Sequence, residues 1–144
     1  MNMNRDGQRN FQQYIERYAE PESRDLKSWI ADNPDSFPAG RAVVSIPLCR
    51  ERALIEGCLD ALLIAAEKHP AIVIFIVNNR ASSADDVKHD NSETLDLLSG
   101  KFLSSQKISK NIYVGALSDH LTMLLVDRIS ASHELPEDQG VGMA

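Results

Sequence analysis

Two short polar stretches carry most of the chemistry in this sequence: "PLCRER", residues 47–52, and "NNRASSADD", residues 78–86. Each follows a β-branched apolar run, "AVVSI" and "AIVIFIV" respectively. In an open parallel sheet, ligands sit beyond the carboxyl ends of the strands, so two such turns side by side make a candidate site. Backbone amides opening a helix near Arg50 and Glu51 would face an anion or a base. Asn78 and Asn79 offer carboxamides that both donate and accept, which suits the edge of a nucleobase. The bland alternative stays beside this one: Asn and Ser also cap helices and satisfy turn backbone.

The remaining reactive side chains point to less. There is no Gly-x-Gly-x-x-Gly and no Walker loop, which argues against a standard dinucleotide site or phosphate loop. His69, His89, His120 and His133 lie in polar contexts without metal-ligand spacing and read as solvated loop residues. Cys58 falls on an apolar helix face and reads as packing. Cys49 sits in the first turn, where a thiol near a helix N-terminus is a nucleophile candidate, but the sequence places no companion histidine. Asp85-Asp86 reads as a solvated acidic pair in a polar loop.

The elements that would position these groups follow from periodicity. Phe11, Tyr14, Ile15 and Tyr18 recur at helical spacing. Pro21 breaks the pattern, and a second short helix carries Leu26, Trp29 and Ile30, with Ser23 as N-cap and Asn33-Pro34 as stop. "NPDSFPAG" is a turn-rich connector. "AVVSI" then reads as a strand covered on both faces. Leu54, Ile55, Cys58, Leu59, Leu62 and Leu63 predict a long helix ending before Pro70, and "AIVIFIVNN" is the next buried strand. After a polar loop, Asp90 with Glu93 suggests a capping box for a helix over "SETLDLLSGKFL". "NIYVGAL" and "TMLLVD" are further strand candidates, the latter preferred as the third strand. The sum is an α/β fold with a doubly wound, mostly parallel, Rossmann-like sheet. A helical appendage, residues 1–38, precedes the α/β domain, residues 39–144.

Composition bounds the partners. The 144 residues are 43% hydrophobic and 25% charged, enough for one domain with a real core. A formal charge of −6, with no Lys/Arg cluster, argues against nucleic acid, whose binding depends on cationic neutralisation of phosphates. The longest apolar runs are too short to cross a bilayer. Two cysteines and an N-terminus lacking an apolar segment lead us to expect a reduced, cytoplasmic protein.

"VVSIPLCRERALIEGCLDALL" resembles the opening of family 2 glycosyltransferases of the GT-A fold, where an Ile-Pro-x-Tyr-Asn-Glu turn leads into such a helix. "IVIFIVNNRASS" resembles their second strand with its Asp-Asp or Asn-Asn turn and following serines. "LPEDQGVGMA" is similar to the Gly-x-Gly-x-Ala start of a helix in one bacterial branch. The resemblance runs from Val43 to Ala144 and is poor between Phe102 and Leu121. It implies that Pro47 and Cys49 lie along the base and ribose of a nucleotide, that Asn79 reads the base edge, and that Glu51 braces the turn. Arg50, Asn78 and Ser82 complete the implied nucleotide-binding set. Cys49 stands where the family often has a base-stacking tyrosine, and Arg50 where it often has asparagine. The implied donor is a nucleotide-sugar, foremost a UDP-sugar, with an acceptor the sequence does not specify. The complete family fold also uses a divalent metal, Mn or Mg, held by an Asp-x-Asp motif; no such motif occurs here, so we expect an incomplete, inactive chain. The contrasting expectation is a non-catalytic interaction module that docks a partner through its acidic surface and Phe11, Tyr14 and Trp29; in the incomplete fold, an exposed sheet edge would also invite self-association. A thiol enzyme using Cys49 ranks third.

Overall fold

The two β-branched runs become parallel neighbours. Ala42–Leu48 (β1) and Ala71–Asn78 (β2) pair with Val43 opposite Ile72 and Leu48 opposite Val77. A single crossover helix, Arg52–Lys68 (α3), joins them, as right-handed βαβ geometry requires. This computed structural model describes residues 5–17, 19–37 and 40–137. Tyr18 and the tail Gln139–Ala144 lie outside the described residues.

The chain forms two units, Met1–Pro38 and Ala39–Ala144. The first holds Arg5–Arg17 (α1), Pro21–Asp32 (α2) and a single 3-10 turn over Pro34–Ser36. Pro21 opens α2 at its first position, so Glu20 rather than Ser23 precedes it. The missing proline N–H is one the first helical turn leaves unused anyway. Phe11 and Tyr14 are exposed on α1, and Trp29 packs edge-on against Phe37 with ring centroids 5.6 Å apart.

The second unit is an α/β fold of Rossmann-like kind. Its sheet is mixed rather than parallel throughout, with the order β1-β2-β5-β4-β3. Helix α4 spans Asp85–Gly100, and the remaining strands are Ser104–Lys107 (β3), Ile112–Ala116 (β4) and Leu121–Arg128 (β5). The "TMLLVD" segment is the third parallel strand: β5 lies beside β2, with Phe75 opposite Leu125. "NIYVGAL" is β4, and with β3 it forms an antiparallel hairpin on the far side of β5. That hairpin occupies the region where the family resemblance is poor.

Three expectations change here. β1 is the edge strand, with Ala42–Ser45 exposed and Val43 at 60% exposure, so its apolar run does not mean cover on both faces. Pro47 fits that position, since proline in a sheet is confined to edges and strand ends. The arrangement is not doubly wound. Strand order advances in one direction from β1 to β2 to β5, so right-handed crossovers put α3 and α4 on the same face. Ile55, Leu59 and Ala66 of α3 and Leu98 of α4 share one core with Val73, Phe75, Leu121, Met123 and Leu125. Finally, α4 begins at Asp85, not near Ser92. Asp85 and Asp86 sit in its first turn, where negative charge suits the helix dipole.

Helix α3 is apolar over more of its circumference than the core uses: Leu54 and Ile64 are 67% and 73% exposed. On the hairpin, Gly115 is forced. A Cβ there would lie 2.1 Å from the Ser104 carbonyl oxygen and 2.8 Å from Phe102 Cδ1. Backbone cannot yield as a flexible side chain would, so Gly115→Ala should destabilise by about 1–3 kcal/mol in urea unfolding. Gly57 on α3 meets nothing within 4 Å. Gly57→Ala should therefore stabilise by about 0.5–1 kcal/mol through helix propensity alone. Equal responses of the two variants would contradict this packing.

Candidate functional site

The carboxyl ends of β1 and β2 are neighbours, and a side chain from α4 ties their turns together. Asn91, fully buried, accepts the Arg50 backbone N–H at its Oδ1 (2.8 Å). Its Nδ2 donates to the Asn78 carbonyl (3.1 Å) and to Asn79 Oδ1 (3.3 Å). One residue earlier, Asp90 Oδ1 accepts the Arg52 backbone N–H at 3.2 Å. Asp90 thus caps α3 across space instead of opening its own helix, which corrects the expected capping box. No local pattern announces either contact, because the partners are 38 and 41 residues apart.

The first turn is consequently less open to an anion than the sequence suggests. The amides of Arg50 and Arg52 are both engaged by α4. Glu51 is the N-cap of α3 but makes no side-chain capping bond. Arg50 adopts a left-handed backbone, φ 61°, which Asn and Gly take more readily than other residues. Its guanidinium lies 2.9 Å from Asp86, an exposed pair worth about 0–1 kcal/mol. Asp86 is therefore partnered rather than merely solvated. Cys49 is half-buried with a free thiol, as is Cys58, and burial pushes the Cys58 thiol up from its ordinary pKa.

The two asparagines divide their roles. The Asn79 side chain is engaged at both ends, donating to the Arg80 carbonyl (3.2 Å) and accepting from Asn91. Its backbone N–H bonds Arg128 and its carbonyl accepts from Leu135. Asn78, 2% exposed, donates weakly to the Ile76 carbonyl (3.3 Å), while its Oδ1 is buried without a hydrogen-bond partner. Alternation along the strands puts Asn78, Pro47 and Arg128 on the sheet face away from α3 and α4. A buried acceptor left without a donor costs about 1–3 kcal/mol, so it is the more pointed feature of the pair.

The second turn is clasped by chain from beyond β5. Arg80 bridges to Leu135, and Ser82 donates both its backbone N–H (3.2 Å) and its hydroxyl to the Glu137 carboxylate. Those hydrogen bonds hold the Glu137 carboxyl below its ordinary pKa, and Arg80 and Lys88 act in the same direction. Two surface hollows lie elsewhere. One, about 450 Å³, is lined by residues of α1 and α2 including Arg24 and Lys27. The other, about 330 Å³, lies between Leu59, Leu63, Lys101 and Leu117. Neither includes a residue of the two turns.

Among the described residues, no group of three or more His, Cys, Asp or Glu side chains could hold an ion. Asp127, at the end of β5, uses its Oδ1 to accept the Ile129 and Ser130 amides. No helix among the described residues is long and apolar enough to cross a membrane. Comparison with protein-family models, curated proteins and solved structures found no match.

Asn91→Ala should cost about 3 kcal/mol, since it leaves buried groups on two turns unsatisfied. Asn91→Asp keeps the acceptor for Arg50 but sets carboxylate oxygens against the Asn78 and Asn79 oxygens. It should also destabilise, with the Arg50 amide still protected from hydrogen exchange; loss of protection only in the alanine variant is the signature to look for. The Glu137 contact should depend on pH in one direction. Its folded pKa is lowered, so its contribution is complete above the ordinary glutamate range and is lost as pH falls through the folded value. An NMR titration of the Ser82 amide should show its midpoint on the acid side of a free glutamate; a midpoint on the alkaline side would contradict the contact.

Proposed function

We propose that this chain is the nucleotide-binding half of a glycosyltransferase-like protein of the GT-A fold, with a nucleotide-sugar, foremost a UDP-sugar, as donor. The observation that carries the reading is Asn78. Its unpartnered buried Oδ1 stands at the carboxyl end of the central parallel strand, where open α/β sheets bind ligands. An acceptor in that place suits an N–H donor on a base edge, such as the imide of uracil. Base reading therefore falls to Asn78 rather than to Asn79, to which the resemblance assigns it, and Asn79 becomes a brace that fixes the turn. Pro47 shares the Asn78 face and would flank the base, while Cys49 continues the chain towards the ribose.

Topology supports half a site rather than a whole one. Ligand crevices in such sheets form where strand order reverses. The order β1-β2-β5 does not reverse, and the outer edge of β1 is unpaired among the described residues. A further strand on that edge would create the crevice above Pro47 and Asn78. Sugar transfer also needs a group that stabilises the leaving diphosphate, and in this proposal that group belongs to the second half.

A second reading, a non-catalytic interaction module, draws on a different observation. Val43 on β1 and Leu54 and Ile64 on α3 are exposed apolar groups, and among the described residues β1 pairs with β2 alone. Such an edge pairs readily with another strand.

Titration with UDP separates the two. Half a pocket should bind at roughly millimolar Kd, about 4 kcal/mol. Amide shifts should cluster at residues 47–51 and 78–82. Asn78→Ala should abolish the response to the base while leaving stability nearly unchanged, whereas Asn79→Ala should lower stability first. Shifts spread evenly over the surface, with concentration-dependent changes at β1 instead, would replace the nucleotide reading with the interaction module.

A further inference from the structure

The Glu137 carboxylate rests in surroundings suited to an oxyanion. Ser82 supplies two donors from one residue, its backbone N–H and its hydroxyl. Arg80 and Lys88 bring positive charge to the same place, and Lys88 Nζ also donates to the Ala81 carbonyl, which fixes the ammonium over the turn. The strand-like bridge between Arg80 and Leu135, with the Leu135 N–H on the Asn79 carbonyl, lays residues 135–137 along the turn. Glu137 and Ser82 are both exposed, so the contact is not needed to satisfy a buried group. A carboxylate held by paired N–H and O–H donors, with the charges of Arg80 and Lys88 acting on it, shares its recognition chemistry with a phosphate.

We propose that Ser82, with Arg80 and Lys88, forms a phosphate-binding site that the chain's own Glu137 occupies as a latch. Residues 135–137 form the strap. While it is closed, the carboxylate takes both Ser82 donors; when a phosphate enters, the carboxylate leaves to solvent and the strap loosens from the turn. The charges nearby limit how strong such a site is. Asp85 and Asp86 open α4 beside it, and Asp86 is paired with Arg50. A weak site gated by an internal competitor makes phosphate affinity depend on the strap. The chemistry recognised is that of a phosphate oxyanion, shared by free phosphate and a nucleotide. Assignment to a nucleotide rests on the function proposed above, whereas the latch itself does not.

The test is an NMR titration of the wild type, Glu137→Ala and Ser82→Ala with inorganic phosphate, with uridine and with UDP, at constant ionic strength. If the strap is closed about nine-tenths of the time, its removal raises apparent affinity about tenfold. Phosphate should therefore shift the Ser82 and Ser83 amides at about tenfold lower concentration in Glu137→Ala, and Ser82→Ala should remove the response. Equal phosphate affinity in wild type and Glu137→Ala overturns the latch, as does a response that survives Ser82→Ala. Uridine reports on the other half of the question. Phosphate shifts at Ser82 without uridine shifts at Asn78 keep the latch and remove the nucleotide. Uridine shifts without the gain in Glu137→Ala remove the latch and keep the nucleotide.

Discussion

Three stretches of chain meet at the carboxamide of Asn91. From within α4 it fixes the amide of Arg50 after β1, the carbonyl of Asn78 at the end of β2, and the side chain of Asn79. The group is fully buried, so each bond replaces one that water would otherwise make, and losing any of them leaves a polar atom stranded. Asp90 adds a fourth tie to the first turn of α3. Together they set the spacing of the two turns that form the candidate site. They also hold Arg50 in a left-handed backbone that arginine does not favour.

Below this polar clamp both faces of the sheet carry buried residues: Ile72, Ile112, Val114, Leu124 and Val126 on one, and the residues that face α3 and α4 on the other. Val73, Phe75, Met123 and Leu125 meet α3 and α4, which lie together because the strand order advances in one direction. The two sheet edges are treated differently. β3, with sequence Ser-Ser-Gln-Lys, is short and polar and carries a lysine, a pattern that discourages further pairing. β1 is longer and apolar, and only Pro47 interrupts its hydrogen-bonding edge. That asymmetry gives the protein one closed side and one able to accept another strand.

The clamp and the edge together shape what the site can do. Because the Arg50 and Arg52 amides are engaged from α4, the first turn serves as a rigid wall, and the donors that hold a carboxylate gather instead at Ser82 in the second turn, where Glu137 takes them. Asn79 and Asn78 are adjacent in sequence but opposite in consequence: one is locked into the clamp, the other keeps an unused acceptor. In the proposed function a base would meet Asn78 and a phosphate would meet Ser82, with the Glu137 strap controlling the second contact.

The sequence by itself determined that the segments of β1, β2, β4 and β5 are strands and those of α3 and the latter part of α4 are helical, that β1 and β2 run parallel and adjacent, and that "TMLLVD" supplies the third parallel strand. These follow from hydrophobic periodicity and from the handedness of a single crossover, both local properties of the chain. Pro47 was a legible sign that β1 is an edge, outweighed by the apolar run around it. Tertiary structure alone decided that α3 and α4 share a face, that a β3–β4 hairpin follows α4, that Asp90 caps another helix, and that Ser82 meets Glu137. The last pair is separated by 55 residues. The physical reason is common to all of them: a pattern along the chain tells which side of an element is apolar or polar, but the partner of each polar group is fixed only when distant segments are brought within hydrogen-bonding distance.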